Sequence, residues 1–163
     1  MNMYYMNYFF IFSLLGHIIE SFFYASGDGG ILYGPYTPVY GIGVCIIVFM
    51  ANVIDKKNIK LKGFYIFLTG FVILSFIEYI GGILIEKIFK VVFWNYSSMK
   101  FHIGNYISLE MAIIWGIASL IISYLIKPFC DKWIKKIPKI ITWVLIVLFI
   151  IDILLTLSTK VFF

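Results

Sequence analysis

The sequence predicts an all-α fold, a polytopic bundle of about five transmembrane helices. Of its 163 residues, 63% are hydrophobic and only 13% are charged, and the mean hydropathy is +1.02. A soluble domain carries about 25% charged residues, so polar side chains could not cover this chain in water. Lipid is therefore the solvent that fits the composition, and we expect a single transmembrane domain over residues 1–163.

Five apolar stretches have, or approach, the length that crosses a bilayer. A hydrocarbon core about 30 Å thick requires about 20 helical residues. The predicted spans are residues 4–24, 38–54, 61–89, 107–126 and 140–159. The second span is short, whereas the third is long enough to tilt or to extend past the membrane surface.

The distribution of lysines predicts the orientation of the spans. All basic residues are lysines; nine follow spans two and four, and four lie on the opposite side. Since cytoplasmic loops carry the excess of positive charge, we expect a cytoplasmic N-terminus and an outer C-terminus in the cell membrane. This arrangement explains the net charge of +5 without a nucleic-acid partner. Residues 127–139 also interleave aromatic residues with lysines, as an interfacial loop on anionic headgroups would.

Two connections differ from ordinary loops. Residues 27–43 contain six glycines and two prolines among aromatic residues, including Tyr33, Gly34, Pro35 and Tyr40. Irregular backbone at membrane depth occurs where it lines a cavity, which favours a re-entrant segment. A surface loop that ends with a proline at the start of span two is the alternative. Residues 91–106 are rich in aromatic side chains and are expected to form an interfacial cap.

Acidic residues within the spans are the candidate binding groups. A charged side chain at membrane depth costs about 2.5–3.5 kcal/mol, so it normally faces the bundle interior and has a partner. Glu20 and Glu78 lie well inside predicted spans beside aromatic residues. Glu78, Gly82 and Glu86 are spaced four residues apart and therefore share one side of span three. We predict that this side contacts another helix or a substrate.

Three further acids have structural interpretations that stay open beside the functional one. Glu86 can form a solvated pair with Lys87, and Glu110 suits the first turn of span four. Asp152 can bond to Thr156 one turn later. His17 and Glu20 form one His-x-x-Glu pair, too few ligands for a metal site, and no cofactor is expected. The sequence carries no nucleophile motif and no Walker motif, so we expect neither catalytic residues nor ATP hydrolysis by this chain.

Four strings, in order, carry a family resemblance: LYGPYTPVYGIG, FIEYIGGILIEKIF, FWNYSSMKFHIGNYISLE and the WG of Trp115 and Gly116. Over residues 8–128 the chain resembles the family called putative type IV ABC-transporter permeases, small CmpB-like bacterial membrane proteins. The resemblance implies transport and a separate ATPase partner. The family usually has Trp at the position of His17 and Asp at the position of Asn95. These departures weaken a metal site at His17 and an outer-face ion pair at Asn95.

The hypothesis we favour is a transporter or permease subunit with a polar cavity between spans one, two and three. The predicted substrate- or ion-binding residues are Glu20, Glu78, Tyr79, Gly82, Tyr33, Gly34, Pro35, Tyr40, Trp94, Tyr96, Glu86 and Trp115. One alternative is an intramembrane lipid-binding protein or lipid-modifying enzyme, with Glu20 or Glu78 as general acid or base. Another is an accessory subunit of a larger membrane complex. Expected partners are membrane lipids, an ATPase or larger membrane protein, and further copies of the chain.

Overall fold

The computed structural model describes residues 3–23 and 30–160, which form five long helices and one short hairpin. The helices are α1 (Met3–Phe23), α2 (Pro38–Lys56), α3 (Lys62–Phe89), α4 (Leu109–Ile134) and α5 (Lys139–Lys160). Strands β1 (His102–Ile103) and β2 (Ile107–Ser108) pair antiparallel between α3 and α4. The predicted helical fold is confirmed.

Within the described residues, four helices, α2 to α5, are long and apolar enough to cross a membrane. The chain is therefore a multi-pass membrane protein. Helix α1 has 21 residues but is not one of the four. It contains Asn7, His17 and Glu20, which lower its hydropathy. A span at α1 stays a prediction, and its expected end at residue 24 lies outside the described residues.

The ends of α2, α3 and α5 lie within two residues of the limits predicted for spans two, three and five, whereas α4 differs from span four. Helix α4 begins at Leu109, because Ser108 pairs in the hairpin and then caps the helix by accepting a hydrogen bond from the Met111 amide at 3.1 Å. The helix also continues through Lys127–Ile134, which we had predicted to be a loop. A π-helical turn, Ile122–Ile126, comes directly before this extension. Such a turn shifts the hydrogen-bonding pattern just ahead of Pro128, which has no amide to donate.

The chain divides into two compact units, whose boundaries fall inside α2 and α4. The first unit comprises Met1–Cys45 and Cys130–Phe163, and the second comprises Ile46–Phe129.

In the first unit, polar side chains join α1 to the ends of α4 and α5. The Asn7 carbonyl oxygen accepts from the Thr142 hydroxyl at 2.6 Å, and the Asn7 amide donates to the Ile134 carbonyl at 3.3 Å. The hydroxyls of Tyr4 and Tyr8 both donate to Asp131 Oδ1, at 2.6 and 2.8 Å. Because lipid offers these groups no hydrogen bonds, pairing between helices is what satisfies them.

In the second unit, the core is aliphatic and α3 and α4 approach closely. The core consists of Ile47, Ala51, Ile54, Ile66 and Leu74. A Cβ at Gly116 would lie 2.5 Å from the Phe67 ring, and one at Gly70 would collide with Ser119. Both contacts require glycine, as expected where membrane helices pack through small residues. The contact between Gly70 and Ser119 lies within another π-helical turn, Thr69–Leu74.

Candidate functional site

The carboxylate of Glu78 is buried in the second unit with a hydrogen-bond donor on each oxygen. Its side chain lies on α3 and the residue is 8% exposed. Oε1 accepts from the Tyr96 hydroxyl at 2.6 Å, and Oε2 accepts from the Trp115 indole nitrogen at 2.7 Å. We call Glu78, Tyr96 and Trp115 the Glu78 site.

The connection between α3 and α4 holds Tyr96 in place. The Tyr96 amide donates to the Asn105 carbonyl at 2.8 Å, which ties the start of the connection to the turn of the hairpin. The side chain of Asn95 accepts from the Ser97 amide at 2.8 Å and shapes the next turn. Gly104, in the left-handed region at φ +59, completes the hairpin beside the Tyr79 ring. The cap predicted from the aromatic residues is therefore an ordered segment that reaches α3.

One turn after Glu78, the ring of Tyr106 lies against the bare backbone of Gly82. A Cβ at Gly82 would lie 2.5 Å from that ring. The Tyr106 hydroxyl then donates to Glu86 Oε2 at 2.9 Å. Burial, followed by the bond to Glu86, raises the pKa of Tyr106, so the phenol stays protonated and continues to donate. Glu86 is exposed, and its contact is with Tyr106, not with Lys87 as one interpretation had proposed.

Trp94 packs beside this contact but leaves its own donor unused. Its ring meets that of Tyr106 edge to face, with centroids 6.0 Å apart. The indole nitrogen is buried without a hydrogen-bond partner among the described residues. The same holds for Glu110 Oε2, in the first turn of α4 as the sequence predicted. Unsatisfied buried polar atoms are rare, and both lie in the second unit near the ends of its helices.

A different carboxylate, Asp152, organises the Gly/Pro segment in the first unit. It lies on α5 and is 9% exposed. Its Oδ1 and Oδ2 accept from the backbone amides of Tyr33 and Gly34, each at 3.0 Å. The predicted bond from Thr156 is confirmed at 3.4 Å. We call this arrangement the Asp152 clamp.

The clamp also explains why residue 34 is glycine. A Cβ at Gly34 would lie 2.7 Å from Asp152 Oδ2. Residues 30–37 are irregular and α2 begins at Pro38, which fits either interpretation of the segment. The part of the segment before residue 30 lies outside the described residues.

Glu20 occupies a second polar position in the first unit. It is partly buried on α1, and Oε2 accepts from the Thr37 hydroxyl at 3.3 Å. One turn earlier, the Nδ1 atom of His17 is buried and has no partner in the described part of the chain. The ring of Tyr40 covers Gly16, where a Cβ would collide with it. This region joins α1 to the start of α2.

The predicted site residues thus fall into two groups. The second unit holds Glu78, Tyr79, Gly82, Glu86, Trp94, Tyr96 and Trp115, and the first unit holds Glu20, Tyr33, Gly34, Pro35 and Tyr40. The shared cavity that would place Glu20 near Glu78 stays a prediction. Within residues 3–23 and 30–160, no cluster of three or more His, Cys, Asp or Glu side chains could hold a metal ion.

Sequence reasoning left two residues out of the site. Asp152 is the partner of the predicted residues Tyr33 and Gly34, and its signal was an acid in an otherwise apolar helix. Tyr106 belongs with Gly82 and Glu86, but only the fold of the hairpin brings it there.

The model of a family described as "Putative ABC-transporter type IV" matches residues 7–157, nearly the whole chain. No curated protein and no solved structure gives a significant match.

Proposed function

Because the chain belongs to the "Putative ABC-transporter type IV" family, we propose that it is a permease-type subunit of a membrane transporter in which Glu78 binds a cation or a proton. The observation that carries the proposal is the buried Glu78 carboxylate with a neutral donor on each oxygen. Neither the Tyr96 hydroxyl nor the Trp115 indole carries a charge that would balance the acid.

A carboxylate in this environment is suited to exchange its partners. Charged groups in membrane-spanning helices are costly and commonly mark ion paths and proton relays. An arriving proton or cation can replace the two neutral donors, because it compensates the negative charge that they only solvate. The buried position beside aromatic rings then limits access to water.

The two donors come from different structural elements. Tyr96 belongs to the connection after α3, whereas Trp115 belongs to α4. A small movement of the connection would therefore uncover Oε1 while Trp115 still held Oε2. Gating of this kind, in which one element moves against a fixed binding group, is how many transporters alternate access.

The transporter requires an energy source outside this sequence. The chain has no phosphate-binding glycine loop, so ATP hydrolysis would come from a separate ATPase subunit. The basic helical extension Lys127–Ile134, on the side that we propose to be cytoplasmic, offers a surface for that subunit. At 163 residues, several copies or a larger partner would complete the pathway.

The test compares two acids on the same side of α3. The protein is reconstituted, together with any ATPase or larger membrane protein that co-purifies with it, in liposomes that contain a pH-sensitive dye. Proton flux is measured with ATP and under an imposed potential, with Na⁺ and K⁺ in parallel. We expect Glu78→Gln to reduce flux by about tenfold or more, whereas Glu86→Gln, at an exposed position, keeps at least about half. Glu20→Gln is measured separately.

Equal thermal unfolding temperatures for the variants and the wild type are the control for folding. If Glu78→Gln is folded and its flux equals that of the wild type, the proposal is wrong. If the acid variants lose only the co-purification of a larger partner, the accessory-subunit hypothesis replaces it.

A further inference from the structure

A surface groove at the end of α3 combines charges of both signs. It is lined by Glu86, Lys87, Lys90 and Val92, and its volume is about 430 Å³. Small-molecule sites in proteins occupy about 300–1,000 Å³, so the groove is large enough for a compact polar ligand. It is open to the surroundings, and it lies entirely in the second unit.

The length of α3 places this groove at the level of lipid headgroups. The helix runs from Lys62 to Phe89, 28 residues, which at 1.5 Å per residue gives about 42 Å. A bilayer is about 30 Å thick across its hydrocarbon core and about 40–45 Å thick with its headgroups. A helix of this length that crosses the bilayer has both ends at the level of the headgroups, so we infer that the charged end of α3 lies near the phosphates of one leaflet.

The charged groups of the groove are available for a ligand. Lys87 and Lys90 form no ion pair among the described residues. Glu86 uses Oε2 to accept from Tyr106, which fixes the carboxylate, while Oε1 accepts no bond from the described part of the chain. Val92, at 48% exposed, adds an apolar wall.

We propose that this groove binds the headgroup of a membrane phospholipid that carries a primary ammonium beside its phosphate. The two lysines bind the phosphate, the Glu86 carboxylate binds the ammonium, and Val92 contacts the upper part of an acyl chain. A primary ammonium can donate hydrogen bonds to Glu86, whereas a trimethylammonium cannot. The inference does not depend on the role proposed for Glu78, and none of the groove residues touches that carboxylate in the bonds described above.

Native mass spectrometry of the purified full-length protein tests the proposal. The protein is incubated with an equimolar mixture of phosphatidylethanolamine, phosphatidylcholine and phosphatidylglycerol. We expect phosphatidylethanolamine to be retained about fivefold over phosphatidylcholine, a ratio typical of one additional charge-assisted hydrogen bond. Glycerophosphoethanolamine and inorganic phosphate, tested alone at the same concentration, should not be retained, because they lack acyl chains.

Variants assign the binding to this groove. The double variant K87Q/K90Q should reduce the retention of phosphatidylethanolamine about fivefold or more, whereas K56Q/K57Q, two adjacent lysines at the end of α2, should leave it unchanged. Glu86→Gln keeps an acceptor for Tyr106 but removes the negative charge, and it should abolish the preference for phosphatidylethanolamine over phosphatidylcholine.

The unfolding temperature of each variant is measured to establish that it is folded. Wild-type retention of phosphatidylethanolamine by K87Q/K90Q would overturn the proposal. Retention of glycerophosphoethanolamine equal to that of the diacyl lipid would overturn the assignment to a membrane lipid.

Discussion

The Glu78 site and the Asp152 clamp each bury a carboxylate to nearly the same extent, but they satisfy it in different ways. Glu78 is 8% exposed and accepts from two side chains, Tyr96 and Trp115. Asp152 is 9% exposed and accepts from two backbone amides, those of Tyr33 and Gly34. The first arrangement requires particular side chains, those of Tyr96 and Trp115, whereas the second requires the backbone at Tyr33 and Gly34 to pass close to Asp152.

This difference indicates different roles. Among the described residues, the two backbone amides held by Asp152 donate to no other acceptor, so the clamp fixes the conformation of that segment. The donors to Glu78 are carried by side chains, so the two hydrogen bonds do not by themselves fix the path of the backbone. We therefore expect substitutions at the clamp to affect stability and substitutions at the Glu78 site to affect function.

The largest effect is expected for Asp152→Ala. The change leaves the partly buried amides of Tyr33 and Gly34 without their acceptor, and an unsatisfied donor costs up to about 1–3 kcal/mol when it is buried. We expect the free energy of unfolding to fall by about 2–4 kcal/mol, measured by reversible unfolding in detergent. The matched control is Asp55→Ala, which removes an acid paired with Lys62 at a half-exposed position and should cost at most about 1 kcal/mol. Equal losses for the two variants would show that the clamp does not hold the segment.

An intermediate effect is expected for Gly82→Ala. The added methyl would lie 2.5 Å from the Tyr106 ring, whereas a methyl at the neighbouring Gly81 meets nothing within 4 Å. We expect Gly82→Ala to lower the free energy of unfolding by about 1–3 kcal/mol. Gly81→Ala should instead be neutral or stabilising by up to about 1 kcal/mol, because alanine favours the helix. Identical unfolding curves for the two variants would show that the ring of Tyr106 does not pack against α3 at Gly82.

The smallest effect on stability is expected for Tyr96→Phe. The ring stays in place while one of the two hydrogen bonds to Glu78 is lost, which should cost about 1 kcal/mol or less. A double-mutant cycle with Glu78→Ala, which removes the acceptor, measures the coupling between the two side chains. A coupling energy of zero would mean that Tyr96 and Glu78 do not interact. A loss as large as that of Asp152→Ala would mean that the two carboxylates are held in the same way.

Much of the fold could be predicted because bilayer thickness and hydropathy act on each segment separately. The ends of α2, α3 and α5 follow from where apolar residues give way to Lys, Gly and Pro. The extension of α4 could not be predicted in this way, since a basic segment containing Pro128 reads as a loop unless the preceding π-helical turn is known.

The candidate site could be predicted only in part. An acidic residue within an apolar span is conspicuous in the sequence, so Glu20 and Glu78 can be selected as candidates from their positions alone. Their partners are 17 to 37 residues away along the chain, and only tertiary structure selects Thr37, Tyr96 and Trp115 from the many aromatic and polar residues. Backbone amides carry no sequence signal, which is why the bonds from Tyr33 and Gly34 to Asp152 could not be predicted, whereas the bond from Thr156 could.

The π-helical turn Thr69–Leu74 has a geometric consequence for everything after it in α3. A regular helix advances 100° per residue, and one π turn takes in about one residue more than an α-helical turn. Removing that extra residue would rotate Glu78, Gly82 and Glu86 together by about 100° around the helix axis. The direction in which these three residues face around the helix axis is thus set by the π-helical turn, which begins nine residues before Glu78.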